Sequence, residues 1–347
     1  MRFDPPLSIA GTGVWLPDTC EIVTDAIREG RLERRHADAN GYVTLTASEI
    51  PPPEMAVRAA AQALDSARVS RDDIGMLVHA WTYYQGQDYW EPVHYILNEL
   101  SLYSATPVGV SLGCNGGFAA FEVAAARMAA DDRVRAVVIT TGERFCLPRF
   151  DRWRANLDVG YGDSGTAMVV RTGPAGGPFE VRSPFEVLST ANTSDPRFEG
   201  MYRGSEPWNR VPFERAESVD VSTQIRKFMA TGQGPRFGTI AATAVRGTVA
   251  AALDLAGISP DDPRIRIIAP PRFGMELITR SYADALAGFT KAEVMPLGRF
   301  TGHLGAGDLA ANLAEIHASG TLEPGQVALF LSATAGFTWS CMVVRAT

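Results

Sequence analysis

The sequence predicts a layered α/β fold built from two similar halves, and three observations carry that expectation. Apolar strand-like runs alternate with alanine-rich helical stretches along the 347 residues, the pattern of sheets packed between helices. Hydrophobic residues make up 46% of the chain and charged residues 20%, enough for a large interior and without the charge-rich signature of disorder. Third, the order of elements recurs. PVGVSLGCNGGFAAFEVAAARMAADDRVRAVVITTGERF, continued after an insertion by YGDSGTAMVVRT at 161–172, runs strand, glycine-bounded turn, helix, strand, strand. From VMPLGRFTGHLGAGDLAANLAEIHASG to the C-terminus the same order returns, and both copies end in Met-Val-Val-Arg. Self-similarity of this kind marks a duplicated unit. The expected halves are 1–175 and 176–347, related by a pseudo-twofold axis.

Taken in order, LSIAGTGVW at 7–15 predicts a strand. Residues 54–68 follow a Pro-Pro-Pro start and carry alanines at helical spacing, which predicts a helix. IGMLVHA at 74–80 is apolar throughout, as a strand buried on both faces would be. AVVITTG and the run around GTAMVV follow as strands. The stretch from 172 to 216, with its glycines, prolines and arginines, reads as a connection between halves with an excursion around Trp208. A helix over Arg236–Gly257, the strand RIRIIAP, a helix beginning near Leu309 and the strands VALFLSATAG and FTWSCMVV complete the second half.

Several classes of function are disfavoured. A net charge of −7 argues against a nucleic-acid binder, which would show a basic stripe. No segment reaches the roughly 18 consecutive apolar residues of a membrane helix. MRFDPPLSIAG lacks the basic and apolar regions of a signal peptide. A cytoplasmic protein is expected. The four cysteines and five histidines are scattered without CxxC or zinc spacing, so no metal site is expected.

Chemistry concentrates at two turns. In SLGCNGGFAAF a strand ends in Gly113, Cys114 follows, and two glycines lead into a helix. Unpaired N–H groups at a helix N-terminus favour a thiolate, and the glycines let a ligand approach the sulfur. A buried cysteine acting as a small hydrophobe is the competing reading, and it is preferred for Cys341 and Cys146; Cys20 reads as a surface or edge residue. In TGHLGAGD, His303 occupies the turn-to-helix position matching Cys114 in the other half, with Asp308 five residues on. If the halves pack through these helices, thiol and imidazole meet. Asp308 would then orient His303 as the third member of a nucleophile–base–acid set, or serve as an ordinary helix N-cap. His79, closing its strand, could face a pocket; His36, His94 and His317 read as surface residues.

IAGTGVWLP, GCNGGF, YGDSGTAMVV and the terminal TAGFTWSCMVV together resemble the ketoacyl synthase III branch of the thiolase superfamily along nearly the whole chain. That resemblance implies a five-layered αβαβα fold, a homodimer, and an acyl group carried on Cys114 from an acyl-CoA or acyl carrier protein thioester, with no bound cofactor. It also implies an oxyanion hole from the backbone N–H groups of Cys114 and Ala335. Two departures stand out. The family's His-Gln-Ala-Asn stretch is PRFG here, so Pro271 and Gly274 replace its histidine and asparagine; a second family asparagine is replaced by His303. Decarboxylative condensation needs donors to an enolate oxygen, and losing one such donor costs roughly 3–4 kcal/mol. A His–Asp pair suits instead the deprotonation of a hydroxyl or amine.

The expected activity is therefore acyl transfer to a heteroatom of a small acceptor such as a glycoside or polyketide. This resembles divergent members of the branch in actinomycete natural-product pathways. The alternative is a 3-oxoacyl synthase priming polyketide or fatty-acid synthesis. Malonyl is a plausible acyl group, with Arg272, Arg144 or Arg149 as partner for its carboxylate. Arg149, Arg152 and Trp153 in RFCLPRFDRWR would flank the donor channel, unless this is a solvated basic loop; IREGRLERR at 27–35 is a further candidate contact for a CoA phosphate or carrier protein. The excursion MYRGSEPWNRVPFERAES would wall the acceptor site.

Overall fold

The computed structural model describes residues 1–173 and 183–347; the expected boundary at 175/176 lies outside them. Ten strands form one sheet: β1 (Arg2–Trp15), β2 (Ile74–Ala80), β3 (Thr106–Val110), β4 (Ala136–Glu143), β5 (Ser164–Thr172), β6 (Phe185–Ser194), β7 (Ile265–Ala269), β8 (Glu293–Val294), β9 (Val327–Thr334) and β10 (Thr338–Ala346). Across the sheet the order is β8-β7-β9-β10-β6-β1-β5-β4-β2-β3. Read outward from the centre, the first half runs 1-5-4-2-3 and the second 6-10-9-7-8, which is the same order shifted by five. Strand polarity repeats as well: β2 is parallel to β3 and β4, as β7 is to β8 and β9, and the remaining pairs are antiparallel.

Three groups of helices separate these half-sheets into five layers. Helices α1 (Pro52–Ala67) and α2 (Pro92–Glu99) cover the outer face of the first half. There Ala56, Ala59 and Ala63 of α1 pack on Leu77, Val138 and Val169. Helices α3 (Gly116–Ala130) and α5 (Asp308–Ala318) lie between the halves, with Phe118, Phe121, Leu309 and Leu313 packed between Ile139 on one side and Phe330 on the other. Each such side chain, fully buried, contributes about 1.5–3 kcal/mol. Helix α4 (Gly234–Ala256) covers the second half through Val245, Val249 and Leu253.

One expectation needs correction. The supposed connection over 172–216 contains β6, which sits at the centre of the sheet between β1 and β10. Its sequence FEVLSTANTS is largely polar, and its alternation of buried and half-buried positions is short, so it lacks the apolar run that marks its neighbours. The helical run Val221–Ala256 is long and apolar enough, by length and composition alone, to cross a membrane, although charged residues interrupt it. It is broken at Gly232 (φ 75°), and its α4 portion lays one face on the sheet, as an outer-layer helix does.

Candidate active site

The paired central helices bring two turns face to face. Gly113–Asn115 is a 3₁₀ turn leading into α3, and Gly305–Gly307 is a 3₁₀ turn leading into α5. Cys114 therefore matches Ala306, and His303 lies three residues upstream of that match. The two catalytic candidates share a place in the fold without sharing a register. Gly113 has φ 52°, and a Cβ there would stand 2.5 Å from Thr334 Oγ1; only glycine fits both the left-handed backbone and the close approach. Gly305 is alike, with φ 58° and the Glu143 carboxylate 2.7 Å from its would-be Cβ. Glu143, fully buried, accepts from the N–H groups of Thr82 (2.6 Å), Tyr83 (3.2 Å) and Ala306 (3.2 Å). Burial pushes its carboxyl up to about 7, against the pull of those donors.

His303 is 1% exposed. Its backbone is pinned between strand-like neighbours: His303 N–H donates to Gly160 O at 2.8 Å, and Gly162 N–H donates to His303 O at 2.9 Å. Phe273 stands edge-on to the imidazole at 4.9 Å and Tyr161 lies at 5.5 Å between ring centres. Nδ1 meets Asp308 Oδ2 at 2.6 Å. The same oxygen accepts from the Arg272 N–H at 2.7 Å, and Oδ1 accepts from the Leu304 N–H at 2.8 Å. Asp308 thus orients the ring and secures the turn around it, but it is the first residue of α5 and not its N-cap, a place that Gly307 holds. Its hydrogen bond to an N–H runs backward to Leu304 rather than forward into the helix as an N-cap's would.

Burial alone would lower the His303 pKa, but the charges of Asp308 and Cys114 and the hydrogen bond to Asp308 raise it well above its ordinary value. Burial likewise opposes ionisation of Asp308, and His303 and Arg272 outweigh it, so its pKa is lowered. His303 Nε2, on the side of the Cys114 thiol, is buried with no hydrogen-bond partner among the described residues.

Cys114 opens into a cavity that communicates with solvent. Ala333, Thr334 and Ala335 wall it beside the sulfur, and Tyr161, Tyr202 and Tyr282 stand around it. The far wall is apolar: Met201, Phe237, Phe337 and Trp339 among others. Burial holds all three phenols above their ordinary pKa, and the Cys114 charge adds to this. Met201 and Tyr202 come from the excursion that the sequence suggested as an acceptor wall. Arg280 is the one cation lining the cavity among the described residues, and it pairs with Asp158 at 2.6 Å.

The structure places the arginines differently from expectation. Arg272 is 2% exposed, does not line the cavity, and is occupied by Asn312, Leu297, Thr301 and Glu315. Arg152 is buried in a bidentate pair with Asp163 (3.0 Å for both bonds) and bonds Glu21, while Trp153 donates to Glu21 from a buried cluster. Arg149 is exposed, bonded to the Glu217 carbonyl and stacked on Phe213. Arg144 reaches Glu49 at 3.3 Å and lies outside the cavity. In the 27–35 stretch, Arg28, Arg31 and Arg35 are paired with Asp25, Glu21 and Glu33. Buried charges need partners, and those partners, rather than a ligand, account for Arg152 and Arg272.

His79 is fully buried between Thr140 and Gln85 and does not line the Cys114 cavity, and burial lowers its pKa to about 4. Cys341 is packed inside β10 and Cys20 is exposed; Cys146 is half-buried and does not line the cavity. Sequence reasoning missed Asn312 and Glu315, although their spacing from Asp308 (i+4, i+7) puts all three on one stripe of α5.

Comparison with known proteins agrees with this architecture. The sequence profile of the 3-oxoacyl-[acyl-carrier-protein] synthase III C-terminal domain matches residues 253–346. A search of curated protein sequences returned no match. Among solved structures, the acyltransferase ChlB3 is similar at 28% identity and TM-score 0.84, covering 99% of this chain and 98% of its own. The 3-oxoacyl-[acyl-carrier-protein] synthase III of Aquifex aeolicus is similar at 17% identity and TM-score 0.74, covering 98% and 99%. The priming β-ketosynthase of the R1128 polyketide pathway follows at 19% and 0.74, covering 98% and 96%. The chain thus shares its fold with these structures along nearly its whole length, and residues 253–346 match the synthase III C-terminal domain.

Proposed function

We propose that this thiolase-fold enzyme transfers an acyl group from a CoA or carrier-protein thioester, through Cys114, to a hydroxyl or amine of a small acceptor. The observation that carries the reading is His303: Nδ1 is committed to Asp308, and Nε2 is left free beside the thiol. An imidazole so held takes up a proton on Nε2 and returns it. In the first step Cys114 sulfur attacks the thioester carbonyl, and the donor thiol departs with the proton that His303 had drawn from Cys114. In the second, Nε2 takes the acceptor's proton as its oxygen or nitrogen attacks the acyl-cysteine, and Cys114 regains that proton on leaving. The N–H groups of Cys114 and Ala335, both at the cavity wall, would stabilise the two tetrahedral intermediates.

Condensation is disfavoured because Pro271 has no N–H and no side-chain donor, while Phe273 packs against the imidazole and the Arg272 N–H is committed to Asp308. The cavity supports an uncharged, apolar acyl group ahead of malonyl, since the one cation lining it among the described residues, Arg280, is already paired. The outer edge of β3, flanked by exposed Tyr103 and Leu112, is the proposed contact of a homodimer.

The test is intact-protein mass spectrometry after brief exposure to benzoyl-, acetyl- or malonyl-CoA, with Cys114→Ala alongside. The expected result is a Cys114-dependent increment of the whole acyl group, largest for benzoyl, discharged by added alcohol in the wild type and not in His303→Ala. Loss of CO2 from malonyl-CoA with formation of a β-ketoacyl product would overturn it in favour of condensation.

A further inference from the structure

Behind the carboxylate of the triad lies a charge to which the proposed reaction assigns no step. Arg272 follows β7, and each donor group of its guanidinium is engaged. Nε donates to Asn312 Oδ1 at 2.8 Å, Nη1 to Thr301 Oγ1 at 3.0 Å and to the Leu297 carbonyl at 3.2 Å, and Nη2 to Glu315 at 2.6 Å. The backbone on either side is tied as well: Asn312 Nδ2 donates to Pro270 O at 3.0 Å, and the Tyr42 hydroxyl donates to Arg272 O at 2.9 Å. A turn held at this many points presents its one remaining donor, the Arg272 N–H, to Asp308 Oδ2. Asp308, Asn312 and Glu315 all project from one stripe of α5, so the helix that supplies the carboxylate also supplies the anchors for the arginine behind it. A nearby cation favours the ionised form of a buried carboxylate, which burial alone would protonate.

We propose that Arg272 is a positioning residue of the site: its fork locks the turn after β7 so that its own N–H meets Asp308, and its charge stands behind that carboxylate. The proposal rests on the Cys114–His303–Asp308 reading but not on the identity of acyl group or acceptor. The groups facing the imidazole are Asp308 from α5, Cys114 from the turn before α3, Tyr161 from the loop before β5 and the uncharged Phe273. Tyr42 and Tyr282 face Asp308, and Glu143 reaches the same turn through Ala306. The phenols stay neutral, held above their ordinary pKa mainly by burial.

The experiment is the pH dependence of Cys114 alkylation by iodoacetamide in the full chain, which needs no acyl donor. Asp308→Asn should move the rising limb to higher pH. Arg272→Gln should move it in the same direction by less, slowing alkylation at pH 7 by about three- to thirtyfold, the range for residues acting through a neighbour. Arg272→Lys keeps the charge but cannot make the fork, and should fall between Gln and wild type. A folded Arg272→Gln protein with the wild-type limb, beside a displaced Asp308→Asn limb, overturns the proposal; if only the Lys variant folds, an unmoved limb there does the same. An unmoved limb in Asp308→Asn instead removes the triad reading itself.

Discussion

Asp308 commits both carboxylate oxygens within one turn, to an imidazole and two backbone N–H groups, and this fixes how its loss should read out. Replacing it by asparagine puts an amide where three donors converge, so His303 loses both its orientation and its electrostatic support. Acyl transfer should fall by about 10²- to 10⁴-fold, the usual worth of a positioned general base, with far less effect on acceptor KM. Stability carries a sign as well. The folded pKa of His303 is raised above its reference of 6.5, and that of Asp308 is lowered below 3.8. The pair's contribution is therefore fully present between those reference values. It fades as pH falls through the lowered carboxyl value or rises through the raised imidazole value. Urea unfolding should show a larger wild-type advantage over Asp308→Asn near pH 6 than near pH 9–10. Arg152 makes a contrasting case. Its partner Asp163 is fully buried, so Arg152→Ala should cost about 3–5 kcal/mol in urea unfolding, whereas a residue that only contacts donor nucleotide would raise KM and leave stability alone.

Helices α3 and α5 meet through residues with almost no side chain, and that closeness lets two turns from distant parts of the chain share one site. A Cβ on Gly117 would come within 2.3 Å of the Ala306 carbonyl oxygen. Gly117→Ala must push one turn off the other, and backbone cannot move aside as a flexible side chain would. Overpacking of this kind costs roughly 1–3 kcal/mol, measurable by urea unfolding. Because the displaced turn carries His303, iodoacetamide labelling of Cys114 should slow in the folded variant too. Loss of stability with unchanged labelling would mean that the turns move together.

For the whole molecule, the cavity is assembled from parts far apart in sequence: the loop before β5, the excursion after β6, helix α4 and the turn after β9. Its size and apolar far wall should govern which acyl groups load. Ala241 lines it from α4, and Ala241→Trp would fill space without touching Cys114. Benzoyl transfer should lose tenfold or more in kcat/KM relative to acetyl, as about 1–3 kcal/mol per misfitted methylene-sized group implies. Equal losses for both donors would place the acyl group elsewhere.

Much of this was legible in the sequence. The apolar runs of β2, β4, β5 and β9 and the alanine spacing of α1 and α4 determined their own structure, because burial imposes a period on the chain. Duplication was readable for the same reason, since the same elements must repeat to repeat the same core. That Cys114, His303 and Asp308 come together was foreseeable from glycine-bounded turns and a short spacing. Strand β6 was not, because a polar strand at the centre of a sheet is held by its neighbours' backbones rather than by its own pattern. Nor were the roles of Arg152 and Arg272. A cation on a loop looks the same in sequence whether it meets a ligand or a buried carboxylate from another part of the chain. Tertiary structure alone decides this, because the desolvation that makes a partner obligatory exists only once the chain has closed around the charge.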